Sequence, residues 1–199
     1  MNSLPIEFSS VDQPSRTSLT GKVLLGLTGG AALGLSVVCA SFVSPAFRKF
    51  CLPYIPATRN QITNVFTALR GRQGTLLDVG SGDGRIVLEA AKCGFVAHGV
   101  ELNFWLVLYS RLNSLRKSLS KKTTFYRKDL WSFHVGDYDN IVIFGVEQMM
   151  AALENKFNTE CKNGCIVVAC RFPLPNRKPF KTFGHGVDTV WAYEIIKTK

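Results

Sequence analysis

The chain has 199 residues, 46% of them hydrophobic and 19% charged, which excludes a disordered or low-complexity chain and fits one globular domain plus a short extra segment. Lys and Arg outnumber Asp and Glu by 24 to 14, a net charge of +10, of which residues 51–199 carry +8. That balance suits an anionic membrane surface or a plain solvated basic face; no stripe of basic and aromatic residues marks a nucleic-acid interface, and only one stretch is long enough to cross a bilayer, which excludes a multi-span transporter.

Residues 1–22 read as an N-terminal tail. It holds Glu7, Asp12 and Arg16, too acidic and too poor in arginine for a mitochondrial transit peptide. Residues 23–47 (VLLGLTGGAALGLSVVCASFVSPAF) contain no charge. As a helix this run spans about 37 Å, against a hydrocarbon core of about 30 Å, and it exceeds the apolar core of a signal peptide. It is expected to be a single transmembrane anchor that ends near Pro45. Lys22 flanks one end and Arg48 and Lys49 the other, so the charge rule places the following domain on the cytoplasmic or matrix side. Gly26, Gly30 and Gly34 form a small-xxx-small face that permits close helix packing.

Residues 48–57 form a Pro-punctuated linker, and residues 58–199 the globular domain. Thr58 is a candidate N-cap for a helix through Leu69, with Ile62, Val65, Phe66 and Leu69 on one face. Strands are expected at Thr75–Val79, Phe95–Val100, Thr124–Tyr126, Asn140–Gly145 and Cys165–Cys170. Helices are expected at Arg85–Cys93, Phe104–Leu119 and Glu147–Glu160. A last strand runs over Val187–Ile196. The alternation predicts an α/β fold with a parallel sheet. Only about sixteen residues separate Cys170 from Val187, too few for a crossover helix, so the last strand should enter as an antiparallel hairpin. The six cysteines (Cys39, Cys51, Cys93, Cys161, Cys165, Cys170) read as free thiols. Cys161 and Cys165 lack two further ligands nearby, so no metal site is expected. His98, His134 and His185 show no partner pattern and read as structural.

The segment LLDVGSGDGRIVLEAA (76–91) carries the chemistry. Gly80, Gly82 and Gly84 alternate between a strand and a helix N-terminus, with Ser81 between the first two. The spacing is G-x-G-x-G, not the G-x-G-x-x-G of a dinucleotide site, and Asp78 stands where it would repel a pyrophosphate. An acid there suits a cationic ligand. Glu101 ends the second strand, where a carboxylate can accept hydrogen bonds from ribose hydroxyls. Asp129 follows the third strand, where an adenine amino group could be read. Together these residues favour S-adenosyl-L-methionine, which carries an ammonium and a sulfonium and no phosphate, over a glycine turn without a cofactor. Asp83 and Arg85 can shape the entry to the loop.

At these residues the chain resembles class I, seven-stranded, Rossmann-like methyltransferases. PYIPATRNQI (53–62), GVELNFWLVLYSR (99–111), KDLW (128–131), IFGVEQMM (143–150), CRFPLP (170–175) and DTVWAYE (188–194) extend the likeness to a small family of mitochondrial lysine methyltransferases. Its members act on the c-subunit of ATP synthase and on the adenine nucleotide translocase. PATRNQI and IFGVEQMM lean toward the branch acting on the ATP synthase c-subunit. The chain departs from that pattern at Phe104 and Glu147, where the resembled enzymes carry proline. The resemblance implies one N-terminal membrane segment and an inner-membrane location with the domain facing the matrix. It also implies trimethylation of a c-subunit lysine, supporting the incorporation of that protein into ATP synthase and respiration. A translocase, lipid or small-molecule acceptor, or a non-catalytic adenosylmethionine-binding module, is the alternative. The Asn/Asp-Pro-Pro-Tyr motif common after the fourth strand of amine methyltransferases is replaced here by Phe144-Gly145-Val146-Glu147. Candidates for the amine pocket are therefore Tyr54, Phe144, Glu147, Trp191 and Tyr193, while Trp105, Tyr109 and Trp131 read as residues packing against the sheet or the adenine.

Overall fold

The computed structural model describes residues 18–43 and 55–197. The chain divides into two units, residues 1–39 and 40–199. The first holds most of helix α1, Leu19–Val43. The helix starts four residues before the expected anchor, because the Ser18 hydroxyl accepts the Gly21 N–H and caps it. Within this apolar helix Thr28 and Ser36 donate their hydroxyls to the carbonyls of Leu24 and Ala32, so neither needs water. Residues 19–40 are long and apolar enough to cross a membrane. The expected end near Pro45 and the first seven linker residues lie outside the described residues, as do Cys51 and Tyr54.

The second unit is built on a seven-stranded sheet ordered β3-β2-β1-β4-β5-β7-β6. Helix α2 (Arg59–Ala68) precedes β1 (Thr75–Val79), α3 (Arg85–Lys92), β2 (Val96–Glu101), α4 (Phe104–Arg116) and β3 (Thr123–Arg127). Strand β4 (Asn140–Phe144), α5 (Glu147–Glu160), β5 (Cys165–Cys170), β6 (Lys181–Phe183) and β7 (Val190–Ile195) follow. Strands β1 to β5 are mutually parallel, and β7 runs antiparallel to both β5 and β6. Short apolar strands such as TLLDV and CIVVAC form the centre because both of their faces are covered.

Side-chain parity divides the core. Leu76, Val142 and Val168 meet Val65, Ile86, Val87 and Val107 from α2, α3 and α4 on one face. Leu77, Ile141 and Val167 meet Met149, Leu153 and Phe157 of α5 on the other, with Val135 and Tyr138 from the loop after β3. Leu153 is fully buried, so truncation to alanine costs about 2–5 kcal/mol. His98 belongs to this packing, with its Nδ1 2.9 Å from the Tyr138 hydroxyl and its ring edge-on to Tyr126 and Tyr138.

Three expectations are corrected. Helix α4 stops at Arg116 rather than Leu119, because Ser118 takes a left-handed φ of 55° that the helix cannot accommodate. The chain after Cys170 contains a further strand, β6. The last strand is antiparallel, as expected, and pairs with β5 on one side and with β6 on the other. Val187 lies in a 3₁₀ turn, Gly186–Asp188, outside that strand.

Candidate functional site

The glycine loop turns at the carboxyl end of β1. Gly80, Gly82 and Gly84 all have positive φ (77°, 52° and 77°). The Gly80 and Ser81 N–H groups both donate to the Val100 carbonyl, which ties the loop to β2. Gly84 opens α3, and a Cβ there would lie 2.7 Å from the Phe125 ring and 2.8 Å from the Ser110 hydroxyl. The loop therefore needs glycine at this position on two counts, conformation and space.

Arg85 clamps the loop entry. Its guanidinium forks onto both Asp83 carboxylate oxygens and donates to the Ala57 carbonyl at 2.6 Å, joining the loop to the segment before α2. Glu101 holds the other side. Its Oε2 accepts the Gly82 N–H at 3.0 Å, and its Oε1 accepts those of Leu102 and Asn103 at 2.8 Å each. Asn103 in turn caps α4 by accepting the Trp105 N–H. Lys128 N–H bonds the Glu101 carbonyl, which brings the chain just ahead of Asp129 to this rim. Asp129 is half-buried, and its Oδ1 accepts the Trp131 N–H.

Asp78 stands apart. It is 2% exposed, and among the described residues its Oδ1 has no hydrogen-bond partner; the buried Ser81 hydroxyl also has none there. Burial, then the charges of Glu101 and Asp83, push the Asp78 carboxyl well above the usual carboxylate range. A buried carboxylate oxygen left unpaired in this way is costly, and a cationic ligand would relieve it.

Next to this loop, at the carboxyl ends of β4 and β5, lies a cavity of about 450 Å³. Ile55, Phe144, Val146, Phe172 and Val187 give it apolar walls, and Arg171 also lines it. Arg171 holds a left-handed φ of 73°, unusual for a non-glycine residue. Hydrogen bonds latch α2 to the 3₁₀ turn that borders the cavity. Asp188 accepts from the Thr58 hydroxyl and the Asn60 amide, and the Gln61 amide donates to the Val187 carbonyl at 2.6 Å. Thr58 and Gln61 meanwhile form a reciprocal capping box. The PATRNQI and DTVWAYE motifs thus meet in space.

Among the amine-pocket candidates, Phe144 lines the cavity. Glu147 is exposed in the first turn of α5 and is not part of the lining. Trp191 and Tyr193 pair with Ala169 and Val167 and share their face, so they point to the α5 side of the sheet, opposite Asp78 and Phe144. The Tyr193 hydroxyl accepts the Leu174 N–H inside the core. Tyr54 lies outside the described residues. Asp188 and Arg171 went unread in the sequence. For Asp188 the one available signal was its place beside a strand, opposite a cap-rich helix start; for Arg171 there was none.

A family profile described as ANTKMT methyltransferase domain matches residues 78–181, and one described as ATP synthase subunit-C lysine N-methyltransferase N-terminal domain matches residues 15–48. The chain is 51% identical over 191 residues to the ATP synthase subunit-C lysine N-methyltransferase of Xenopus laevis, covering 95% of this chain and 84% of that one. The chain belongs to this family of lysine N-methyltransferases. The human protein of the same name is 51% identical over 87% of this chain and 75% of its own length. A mouse adenine nucleotide translocase lysine N-methyltransferase is 42% identical over 83% of this chain and 75% of its own. In fold, this lysine N-methyltransferase is similar to a Salinibacter ruber RNA methyltransferase solved with S-adenosyl-L-homocysteine (TM-score 0.68, 23% identity, 73% of this chain and 96% of the other). The enzyme uses S-adenosyl-L-methionine. Its residues fit that cofactor: the unpaired, buried Asp78 oxygen calls for a cation.

Proposed function

We propose that this enzyme trimethylates a lysine of the ATP synthase c-subunit at the mitochondrial inner membrane. In this reading α1 is a single-pass anchor and the domain faces the matrix, and the modification supports incorporation of the c-subunit into ATP synthase and hence respiration. The observation that carries the proposal is the 51% identity to enzymes named for that substrate, extending over 95% of the chain and including the N-terminal segment.

In this reading Asp78 receives the cofactor's ammonium, Glu101 its ribose hydroxyls and Asp129 its adenine amino group. Gly80, Ser81, Gly82 and Gly84 let the backbone approach it. Bound S-adenosyl-L-methionine supplies an electrophilic methyl group on a sulfonium. The protein's own part is to deliver a neutral amine in line with that methyl. A free lysine ammonium has a pKa of about 10.4 and must lose its proton first. The apolar walls around Phe144 and Phe172 disfavour the charged amine, and the positive charge of Arg171 disfavours it further. Aromatic faces also hold partly methylated cations between rounds. Positioning and desolvation supply the rate enhancement, and no general base among the described lining residues is invoked.

Intact-mass analysis of the ATP synthase c-subunit from cells with and without this protein tests the proposal. The expected result is loss of three methyl groups from one lysine when the protein is absent. The match of residues 78–181 to the ANTKMT domain favours the adenine nucleotide translocase as the second reading. An unchanged c-subunit mass, with methylation lost from the translocase instead, selects it.

A further inference from the structure

Helix α4 is apolar on both sides. Leu106, Val107, Ser110 and Ser114 are buried against the sheet, as β2 and β3 require. On the opposite side Phe104, Leu108, Leu112 and Leu115 stand exposed, Leu115 by 61%. At 100° per residue these four fall within one stripe about 80° wide. Helices apolar all round are ordinarily covered on both sides, so the outer stripe calls for a partner.

Charge identifies that partner. Residues 102–128 hold seven Lys and Arg and no Asp or Glu. Arg111 and Arg116 border the stripe along its two sides, and Lys117 follows its end. The Arg127 guanidinium sits 5.4 Å from the Phe104 ring centroid. Arg111 also donates to the Phe125 carbonyl, which fixes it at the border. The nearest acids, Glu101 and Asp129, are held at the cofactor rim by backbone N–H groups. An apolar stripe bordered by arginines, in an acid-free stretch, is the pattern of a helix lying in the interface of an anionic membrane. Only residues 44–54 separate α1 from the described part of the domain, and eleven residues reach at most about 40 Å. If α1 spans the bilayer, that tether keeps the domain near the membrane surface and raises the effective concentration of α4 there.

We infer that α4 docks the domain onto an anionic bilayer surface, burying Leu108, Leu112 and Leu115 among the acyl chains and placing the basic residues at the headgroups. The tether rests on the anchor reading above; the stripe and its charges do not. Docking would hold the cofactor rim beside the membrane, where a membrane-embedded protein exposes its loops.

The test uses the full chain carrying Leu112→Cys, an exposed position that tolerates the change, in nanodiscs open on both faces. Labelling of that cysteine by a water-soluble maleimide is read peptide by peptide. With about a third phosphatidylglycerol, labelling should fall roughly tenfold relative to pure phosphatidylcholine, and adding Arg116→Glu and Lys117→Glu should restore it. Equal labelling in the two lipids overturns the inference. Protection in neutral lipid with a dimeric mass also overturns it, and assigns the stripe to a second copy. Co-elution with neutral nanodiscs reads the anchor separately. If that fails, binding of the unanchored chain to anionic nanodiscs still reports on α4, so the two readings fail independently.

Discussion

Around the glycine loop the rim of the sheet is polar and tightly bonded, with Glu101 held by three backbone N–H groups and Asp83 by Arg85. Across β4 and β5 the same rim is apolar, lined by Phe144, Val146 and Phe172. In the proposed reading the first half fixes a cofactor by directional bonds, which demand particular residues at particular places. The second half shapes a volume and excludes water, and many side chains can do that. The division also separates two free energies, cofactor binding and acceptor delivery, that substitutions should affect independently.

The largest effect is expected for Glu101→Ala. It removes the acceptor for three N–H groups and the carboxylate facing the cofactor, and should raise the dissociation constant for adenosylmethionine about a hundredfold or more in isothermal titration. Retained affinity would break the assignment of the polar half. Phe144→Ala should act the other way round. It should lower kcat/KM for the acceptor about ten- to a hundredfold while leaving cofactor affinity within about twofold. Equal losses in both would merge the two halves into one site.

Asp78→Asn sharpens the comparison, because stability and binding should move in opposite directions. The Asp78 carboxyl is raised by burial and by the charges of Glu101 and Asp83. Between the ordinary carboxylate pKa and the raised one, the folded ligand-free protein keeps a proton that the unfolded chain releases, so stability falls as pH rises through that window. The asparagine variant should therefore melt about 2–5 °C higher near neutrality without cofactor, yet bind adenosylmethionine about tenfold more weakly. Wild-type affinity should rise with pH over the same window as the carboxylate ionises. A variant that melts lower without cofactor would show that Asp78 is a structural partner instead.

The smallest effect lies away from the rim. Asp139 is held down to about 2 by hydrogen bonds from Lys162 and from the Thr75 N–H, so the stability it contributes is present above about 4 and lost as pH falls toward 2. Asp139→Asn should lower the melting temperature at neutral pH by a few degrees. That difference should vanish in acid melts, and catalysis should be unaffected throughout.

Most elements of the domain were legible in the sequence because their signals are local. Thr58 marks a helix start, Gly80 to Gly84 mark a turn, and LLDV and IVIF are largely apolar runs bounded by polar residues. Strand β6 was not legible: Lys181–Phe183 is three residues long at the sheet edge, with two of them exposed, so it has no hydrophobic pattern of its own. The face taken by Trp191 and Tyr193 was not legible for a different reason. Strand β7 is covered on both faces, so aromatic residues on it carry no mark of which face they take, and the register with β5 sets them on the α5 side.

By itself the sequence determined an α/β scaffold with a glycine loop between β1 and α3 and acids at the strand ends, because a tight turn and strand ends are marked by residue types at set spacings along one stretch of chain. Only the tertiary structure decided which side chains wall the cavity at the ends of β4 and β5, how Asp188 latches α2 beside it, and that α4 leaves an apolar face uncovered among the described residues. Those features arise between segments far apart in the chain, where packing parity and strand order, rather than local spacing, set what meets what.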